Sequence, residues 1–334
     1  MNKVEGFVKS TGRDKHWDVL EKEMKTLLDT ATGKIRSEYL IETCCPVCLS
    51  ESYKLSFEKD GFCFVKCEGC GLLYVNPQLN EEKIISNYEG SPSSDSWVDV
   101  LISREEQEWN IENKLGPVLN DINAMYPERG NILDIGCSIG LFLKLAKEAG
   151  WSEYGLEIHK KAVDYAVNNL GLNVESKLLH EADYHEGFFK VISMWGVLEH
   201  LTDPRLILKQ SYELLDDNGL LIIFVPNGHS LVARTLRGNC STFNGKNHLW
   251  YFGPETLTKL LVELGYHVTK AYTIIAQTDE IKNYLDYSNP YEHAQNDMEK
   301  FQFDELQTKA LEDYILSNQM GSKLIVYVRK SNED

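Results

Sequence analysis

Residues 131–140, Asn-Ile-Leu-Asp-Ile-Gly-Cys-Ser-Ile-Gly, carry the pattern best suited to gripping a small ligand. A short apolar run ends in Asp134. Gly136 and Gly140 then frame a tight turn before the apolar-periodic segment Leu141-Phe142-Leu143-Lys144-Leu145-Ala146. Glycine lets a ligand approach bare backbone, because it has no Cβ and tolerates positive φ. A helix start offers unpaired N–H groups to an anionic group. The spacing sets aside two familiar ligand types. No Lys-Ser or Lys-Thr follows Gly140, so this is not the G-x-x-x-x-G-K-[ST] phosphate cradle. Ser138 and Ile139 do not supply the G-x-G-x-x-G of a dinucleotide fold. What stands is D-x-G-x-S-x-G. An acid there repels pyrophosphate and suits a ligand that carries an ammonium.

Downstream, Tyr154-Gly155-Leu156-Glu157-Ile158 reads as a second short strand with an acid at its end. A carboxylate at that place can accept both hydroxyls of a ribose. An amino-acid end, a ribose and no phosphate describe S-adenosylmethionine. At this point the chain resembles the class I S-adenosylmethionine-dependent methyltransferases, over about residues 115–275 and the last strand. Leu133–Gly140 resembles the family's first motif, with Ser138 where a glycine is usual. Glu157, followed by Ile158, matches its ribose-binding acid. Phe189–Leu201 resembles its fourth strand and Gly219–Asn227 its fifth. The resemblance implies a Rossmann-like, seven-stranded, mostly parallel sheet with helices on both faces.

Methyl transfer is an in-line displacement at a sulfonium, so the protein mainly positions two reactants. A hydroxyl acceptor also needs a base, and histidine titrates in the useful range. His200 follows Glu199 at the end of the fourth strand, where open α/β sheets place reactive groups. His248 lies in the loop Asn244–Phe252, which resembles the His-x-x-x-Phe segment of glycan and small-molecule methyltransferases. Capping of a turn competes as the role of His200, and packing beside Trp250 and Phe252 as that of His248. A lone Glu199 is a poor magnesium site. By resemblance, Asp183 contacts the adenine and Tyr88 lies near the cofactor's methionine end. Trp195 packs beside the adenine or fills the sheet edge, and Cys137 is a small filler that offers its N–H.

Four of the eight cysteines are paired by spacing. Cys45-Pro46-Val47-Cys48 and Cys67-Glu68-Gly69-Cys70 make C-x2-C-x18-C-x2-C. Two such turns complete a tetrahedron of sulfurs, the pattern of a structural zinc ribbon. Two disulfides are the rival reading, which a chain expected in the cytoplasm disfavours. Cys44 and Cys63 are near enough in sequence to substitute as ligands.

These features need elements to hold them. Residues 1–43 read as an N-terminal helical segment, with Trp17, Leu20, Met24, Leu27 and Leu28 on one face of a helix. Residues 44–90 form the zinc-ribbon module and include a helix over Asn80–Tyr88. Gly90–Ser96 has the composition of a mobile linker within 91–128, ahead of a lead-in helix from about Ser103 to Asn123. From 129 to 334, strands and helices alternate, the mark of a parallel sheet covered on both faces. An insertion at about 277–321 contains the amphipathic stretch Asp297–Ser317. This stretch fits a cap over the substrate side or a packing or homodimer helix.

The net charge is −17, which disfavours broad nucleic-acid binding. Residues 1–90 hold 12 Lys and Arg against 15 Asp and Glu, so the ribbon is not an electrostatic footprint for RNA. No apolar run reaches the length of a membrane span, and the N-terminus lacks the apolar core of a signal peptide. The expected function is O-methylation of a sugar, glycan precursor or other small molecule, with a histidine base. The alternatives are an RNA methyltransferase that grips RNA with its ribbon and, third, a non-catalytic interaction protein.

Overall fold

The computed structural model describes residues 3–285 and 304–331. Seven strands form the central sheet: β1 (Asn131–Ile135), β2 (Ser152–Leu156), β3 (Val174–Glu175), β4 (Phe189–Trp195), β5 (Leu215–Pro226), β6 (Tyr266–Ile274) and β7 (Lys323–Lys330). Their spatial order is β6-β7-β5-β4-β1-β2-β3. The pairs from β5 through β3 are parallel, and β7 runs antiparallel to both β5 and β6. This is the Rossmann-like sheet that the sequence implied. The chain leaves β1 toward β2 on one side and returns to β4 on the other, which opens a crevice at the carboxyl ends.

Successive residues of a strand point to opposite faces, and here both faces are buried. Leu133, Ile192, Leu221 and Ile223 pack on one face with the cysteine-bearing module. Ile132, Val191, Leu220 and Ile222 pack on the other with Val98, Val118 and Ile122 from the helices before β1. The lead-in helix is found as Arg104–Asn110, one π turn over Ile111–Leu115, and Gly116–Met125.

The Gly90–Ser96 run is not a linker. Ser91 caps a helix over Pro92–Ile102, its side chain accepting from the Ser94 N–H at 3.3 Å. A serine N-cap with proline in the first turn is a helix start, and small polar composition disguises it. Trp17 also departs from expectation: in the helix Arg13–Leu27 it is 51% exposed, while His16 and Leu27 are buried. His16 turns inward because its Nδ1 lies 2.9 Å from Ser96 Oγ. Of the amphipathic stretch in the insertion, Met298 and Phe301 lie outside the described residues. Its later part is the helix Glu305–Ser317, capped by Asp304.

The cysteine-bearing module is a four-stranded antiparallel sheet, and one strand comes from far along the chain. Tyr53–Lys59, Phe62–Cys67 and Leu73–Val75 are joined by Trp250–Tyr251, with Trp250 opposite Tyr74 and Tyr251 opposite Leu73. The Trp250 indole N–H donates to the Leu201 carbonyl at 2.7 Å, and its ring lies 5.6 Å from that of Tyr74. Among the described residues no helix is long and apolar enough to cross a membrane. Trp250→Ala is expected to cost about 3–5 kcal/mol of stability, the usual scale for emptying a buried Trp site. A denaturant titration whose midpoint does not move would show that the module is not fastened through this side chain.

Candidate functional site

The turn after β1 is built from three left-handed residues, Gly136 (φ 66°), Ser138 (φ 50°) and Gly140 (φ 77°). A Cβ on Gly140 would stand 2.5 Å from Leu172 Cδ1, so bulk as well as backbone requires glycine there. Ser138 accepts a conformation that glycine adopts more cheaply. Glu157 holds it: Oε2 accepts the Ser138 N–H and Oε1 the His159 N–H, both at 2.8 Å. Each carboxylate oxygen keeps a further lone pair, which suits two ribose hydroxyls. Cys137 is buried and its sulfur fills the space above Gly155. Ile158, half-buried, follows Glu157 directly. Asp183 is exposed, just past the short helical turn Leu179–Glu181.

Asp134 was expected beside the ligand's ammonium. It is 2% exposed, and its Oδ1 accepts from Ser193 Oγ across the β1–β4 pair at 2.7 Å. Burial pushes its carboxyl up to about 8, opposed by the Ser193 hydrogen bond and the Lys114 charge.

Beyond β4, the turn Leu198–His200 brings Glu199 and His200 to the carboxyl edge of the sheet. The Leu249 N–H donates to the Glu199 carbonyl at 2.8 Å, which seats His248 beside them. The two imidazole centroids are 4.8 Å apart. His200 Nδ1 lies 2.5 Å from the Asn247 carbonyl and 2.6 Å from the Tyr88 hydroxyl. A carbonyl only accepts, so Nδ1 carries a proton, and in the neutral ring the lone pair is at Nε2. Nε2 faces Glu199 Oε1 at 3.8 Å. His248 Nδ1 donates in the same way to the Thr242 carbonyl at 3.2 Å, leaving its Nε2 free. Burial, with His200 and Lys323 nearby, holds His248 well below its ordinary value, so it is neutral. Glu199 is raised by burial, against the pull of His200, Lys323 and Lys114, and its Oε2 has no hydrogen-bond partner. One ligand atom from each of Glu199, His200 and His248 falls within 4.8 Å of the others, a grouping that can hold a metal ion.

Sequence reasoning missed Lys114 and Lys323. Lys114 sits on the π turn with its ammonium 4.7 Å from the Phe224 ring centroid and 5.6 Å from that of Trp195. Burial brings it down to about 8. A signal was present: the lysine interrupts the helical stripe Ile111, Leu115, Val118, Ile122. Trp195 thus packs between Lys114 and Phe142, and its indole N–H has no partner. Lys323 opens β7 opposite Pro226 and is lowered by burial.

The four expected cysteines converge. Cys45 Sγ lies 3.4 Å from Cys70 Sγ, Cys48 Sγ 3.4 Å from Cys67 Sγ, and all four sulfurs fall within 4.8 Å. Tetrahedral Zn–S bonds of about 2.3 Å place sulfurs about 3.8 Å apart, so the set fits zinc. Cys44 is exposed and Cys63 turns to Glu58, and neither joins the group.

Asp134 makes stability depend on pH. Its folded value is raised from 3.8 to about 8, so the folded chain keeps a proton that the unfolded chain loses. Stability therefore falls as pH rises through that window. Asp134→Asn is expected to flatten this slope and to raise stability at pH 8 by about 1–3 kcal/mol. Melting curves from pH 5 to 9 with the wild-type slope would contradict the assignment.

Residues 109–271 match a family model described as a methyltransferase domain. The ubiquinone biosynthesis O-methyltransferase of Coxiella burnetii is 22% identical over 160 residues, 44% of this chain and 66% of that protein. The chain therefore spans just under two thirds of this relative's length. The enzyme of the same name from Actinobacillus pleuropneumoniae is 24% identical over 186 residues, 53% of this chain and 71% of that protein. Magnesium protoporphyrin IX methyltransferase from Synechocystis PCC 6803, solved with bound SAH, shares the fold. It has a TM-score of 0.50 and 15% identity, covering 75% of this chain and 100% of the other. With the β1 turn, Glu157 and the sheet order already in place, residues 109–271 read as a methyltransferase domain, on the fold that the solved methyltransferase shares.

Proposed function

We propose that the protein transfers a methyl group from S-adenosylmethionine to a hydroxyl of a sugar, glycan precursor or other small molecule. The observation that carries this reading is the convergence of Tyr88, Glu199, His200 and His248 at the sheet edge that bears the Gly136–Gly140 turn. That the matched relatives are named as O-methyltransferases supports oxygen as the accepting atom.

The cofactor supplies a methyl activated on a sulfonium. Glu157 would take the ribose hydroxyls, and the left-handed turn Gly136–Gly140 lets the ligand approach bare backbone; the Cys137 N–H is not on offer, since it donates to the Leu156 carbonyl. Lys114, whose ammonium lies over the Phe224 and Trp195 rings, would hold the cofactor's α-carboxylate. With the cofactor bound, His200 Nε2 would take the proton of the acceptor hydroxyl as that oxygen receives the methyl group and the sulfonium is left as a thioether. His200 serves as base and His248 as its neutral neighbour, because a group held well below its ordinary value accepts protons poorly. Tyr88 and Asn247 fix the tautomer of His200.

Calorimetry with S-adenosylhomocysteine and a labelled-methyl assay over a panel of phenols and sugars test this reading. His200→Ala is expected to lower kcat about 10²–10⁴-fold while leaving cofactor affinity in place. A chain that does not bind the cofactor product, or a His200→Ala enzyme with full turnover, would defeat it.

The cysteine group is read as a structural zinc site, with four thiolates and no open position. Its sheet includes Trp250, two residues from His248, so the ion also steadies the acceptor side. Metal analysis is expected to find zinc at one equivalent per chain, and Cys48→Ser to lose both zinc and thermal stability. A metal-free preparation that melts like the untreated protein would refute a structural zinc.

A further inference from the structure

The loop before Trp250 carries a buried charge, Lys246, that the methyl-transfer chemistry does not use. Lys246 is 2% exposed, and a buried ammonium is costly unless it is paired and hydrogen-bonded. Both needs are met from outside the loop. Its Nζ lies 3.3 Å from Glu23 Oε2, on the helix Arg13–Leu27. It also donates to Ser93 Oγ at 3.0 Å, in the first turn of the helix Pro92–Ile102. These two helices hold each other independently of the loop, since His16 Nδ1 lies 2.9 Å from Ser96 Oγ. An apolar side chain of like volume would often serve stability as well, and the ion pair differs in fixing direction.

What it directs is the next residue. The Asn247 carbonyl accepts from His200 Nδ1 at 2.5 Å. Within the loop, the Asn247 and His248 N–H groups both donate to the Asn244 carbonyl, at 3.3 and 2.9 Å. Asn244 and Gly245 rest on the cysteine-bearing sheet: the Asn244 N–H donates to the Tyr251 hydroxyl at 2.9 Å, and a Cβ on Gly245 would stand 2.5 Å from the Phe62 ring. Lys246 ties the loop instead to the N-terminal helices. The helical turn that receives it also touches the donor half. Ser94 Oγ lies 3.2 Å from His159 Nε2, and the His159 N–H donates to Glu157 Oε1. We propose that Lys246 is a positioning residue for the base. Seated between Glu23 and Ser93, it holds the Asn247 carbonyl against His200 Nδ1 and so keeps Nε2 turned to the acceptor. The assignment rests on the reading of His200 as base. It gives the N-terminal helix a part in methyl transfer, exerted through Asn247 and not on the substrate.

The test pairs labelled-methyl turnover with proton NMR of the full-length protein loaded with S-adenosylhomocysteine. The hydrogen-bonded ring N–H of His200 gives a downfield resonance, identified by its absence from His200→Ala. Lys246→Met is expected to move that resonance upfield and to lower kcat about tenfold to a hundredfold, the scale of a small misplacement of a reacting group. Cofactor-product affinity and the acceptor KM should be little changed. Lys246→Arg, which can still reach Glu23, should restore most of the turnover. Glu23→Gln keeps the volume and removes the counter-charge, so it should shift the resonance in the same direction with a smaller loss of kcat. If Lys246→Met does not fold, Glu23→Gln decides by the same two readings. A resonance at its wild-type place in these variants overturns the assignment, as does full turnover in a Lys246→Met chain that binds S-adenosylhomocysteine. A loss of cofactor-product affinity equal to the loss of turnover also overturns it, because Lys246 would then only hold the fold together. Full turnover in His200→Ala fails the base reading instead. The resonance does not depend on turnover, so it still reports whether Lys246 holds the Asn247 carbonyl in place.

Discussion

The pairing of Trp250–Tyr251 with Leu73–Tyr74 is the constraint on which the acceptor side depends. These residues belong to the cysteine-bearing sheet, and the segment just before them carries Asn247, His248 and Leu249. A strand register is fixed to the residue, since a slip of one reverses every side chain. The register of this short strand therefore sets where His248 stands. The Leu249 N–H then ties the same segment to the Glu199 carbonyl, and the Trp250 indole to the Leu201 carbonyl. The turn after β4 and the loop after β5 are thus joined through one short strand. Without it, Glu199, His200 and His248 would sit on independent loops. The N-terminal helix adds a further tie, because Lys246 of the same loop bonds Glu23 and Ser93.

The donor side is ordered by a different principle. There, backbone conformation is the scarce resource, and Glu157 fixes it by receiving N–H groups from the turn after β1 and from its own loop after β2. Asp134 works from inside the sheet through Ser193. Burial raises the proton affinity of this acid, and the Ser193 hydrogen bond opposes the rise. Donor and acceptor halves meet at Trp195, whose ring sits under the Lys114 ammonium and whose residue lies four positions before Glu199.

Much of the donor half was legible because its parts are local. Asp134, Gly136 and Gly140 fall within one strand–turn–helix unit, and Glu157 ends the next strand. The central sheet was legible for the same reason, since apolar runs alternate with helical periods and glycine stops. The acceptor half was only partly so. His200 and His248 could be singled out by residue type, but their meeting depends on a two-residue strand with no period to detect. The helix from Pro92 was hidden by serine-rich composition, although Ser91-Pro92 is itself a start signal. Lys114 and Lys323 were missed because periodicity tells which face a residue occupies and not what that face looks upon. The partner of Asp134, Ser193, is set by strand order, which no local pattern encodes.

Catalysis by positioning demands that the groups be oriented before the acceptor arrives. Both histidines meet this demand through the backbone. Each donates Nδ1–H to a carbonyl, Asn247 for His200 and Thr242 for His248, so each presents Nε2 to the cleft. Side-chain partners can rotate away, whereas a carbonyl in a strand-anchored loop cannot move without breaking the ladder. The two carbonyls lie in the segment that leads into Trp250. It follows that the cysteine-bearing sheet does more than cover one face of the domain: it anchors the carbonyls that orient His200 and His248. The cysteine-bearing module and the two histidines are therefore one mechanical unit, joined through the backbone of residues 242–251.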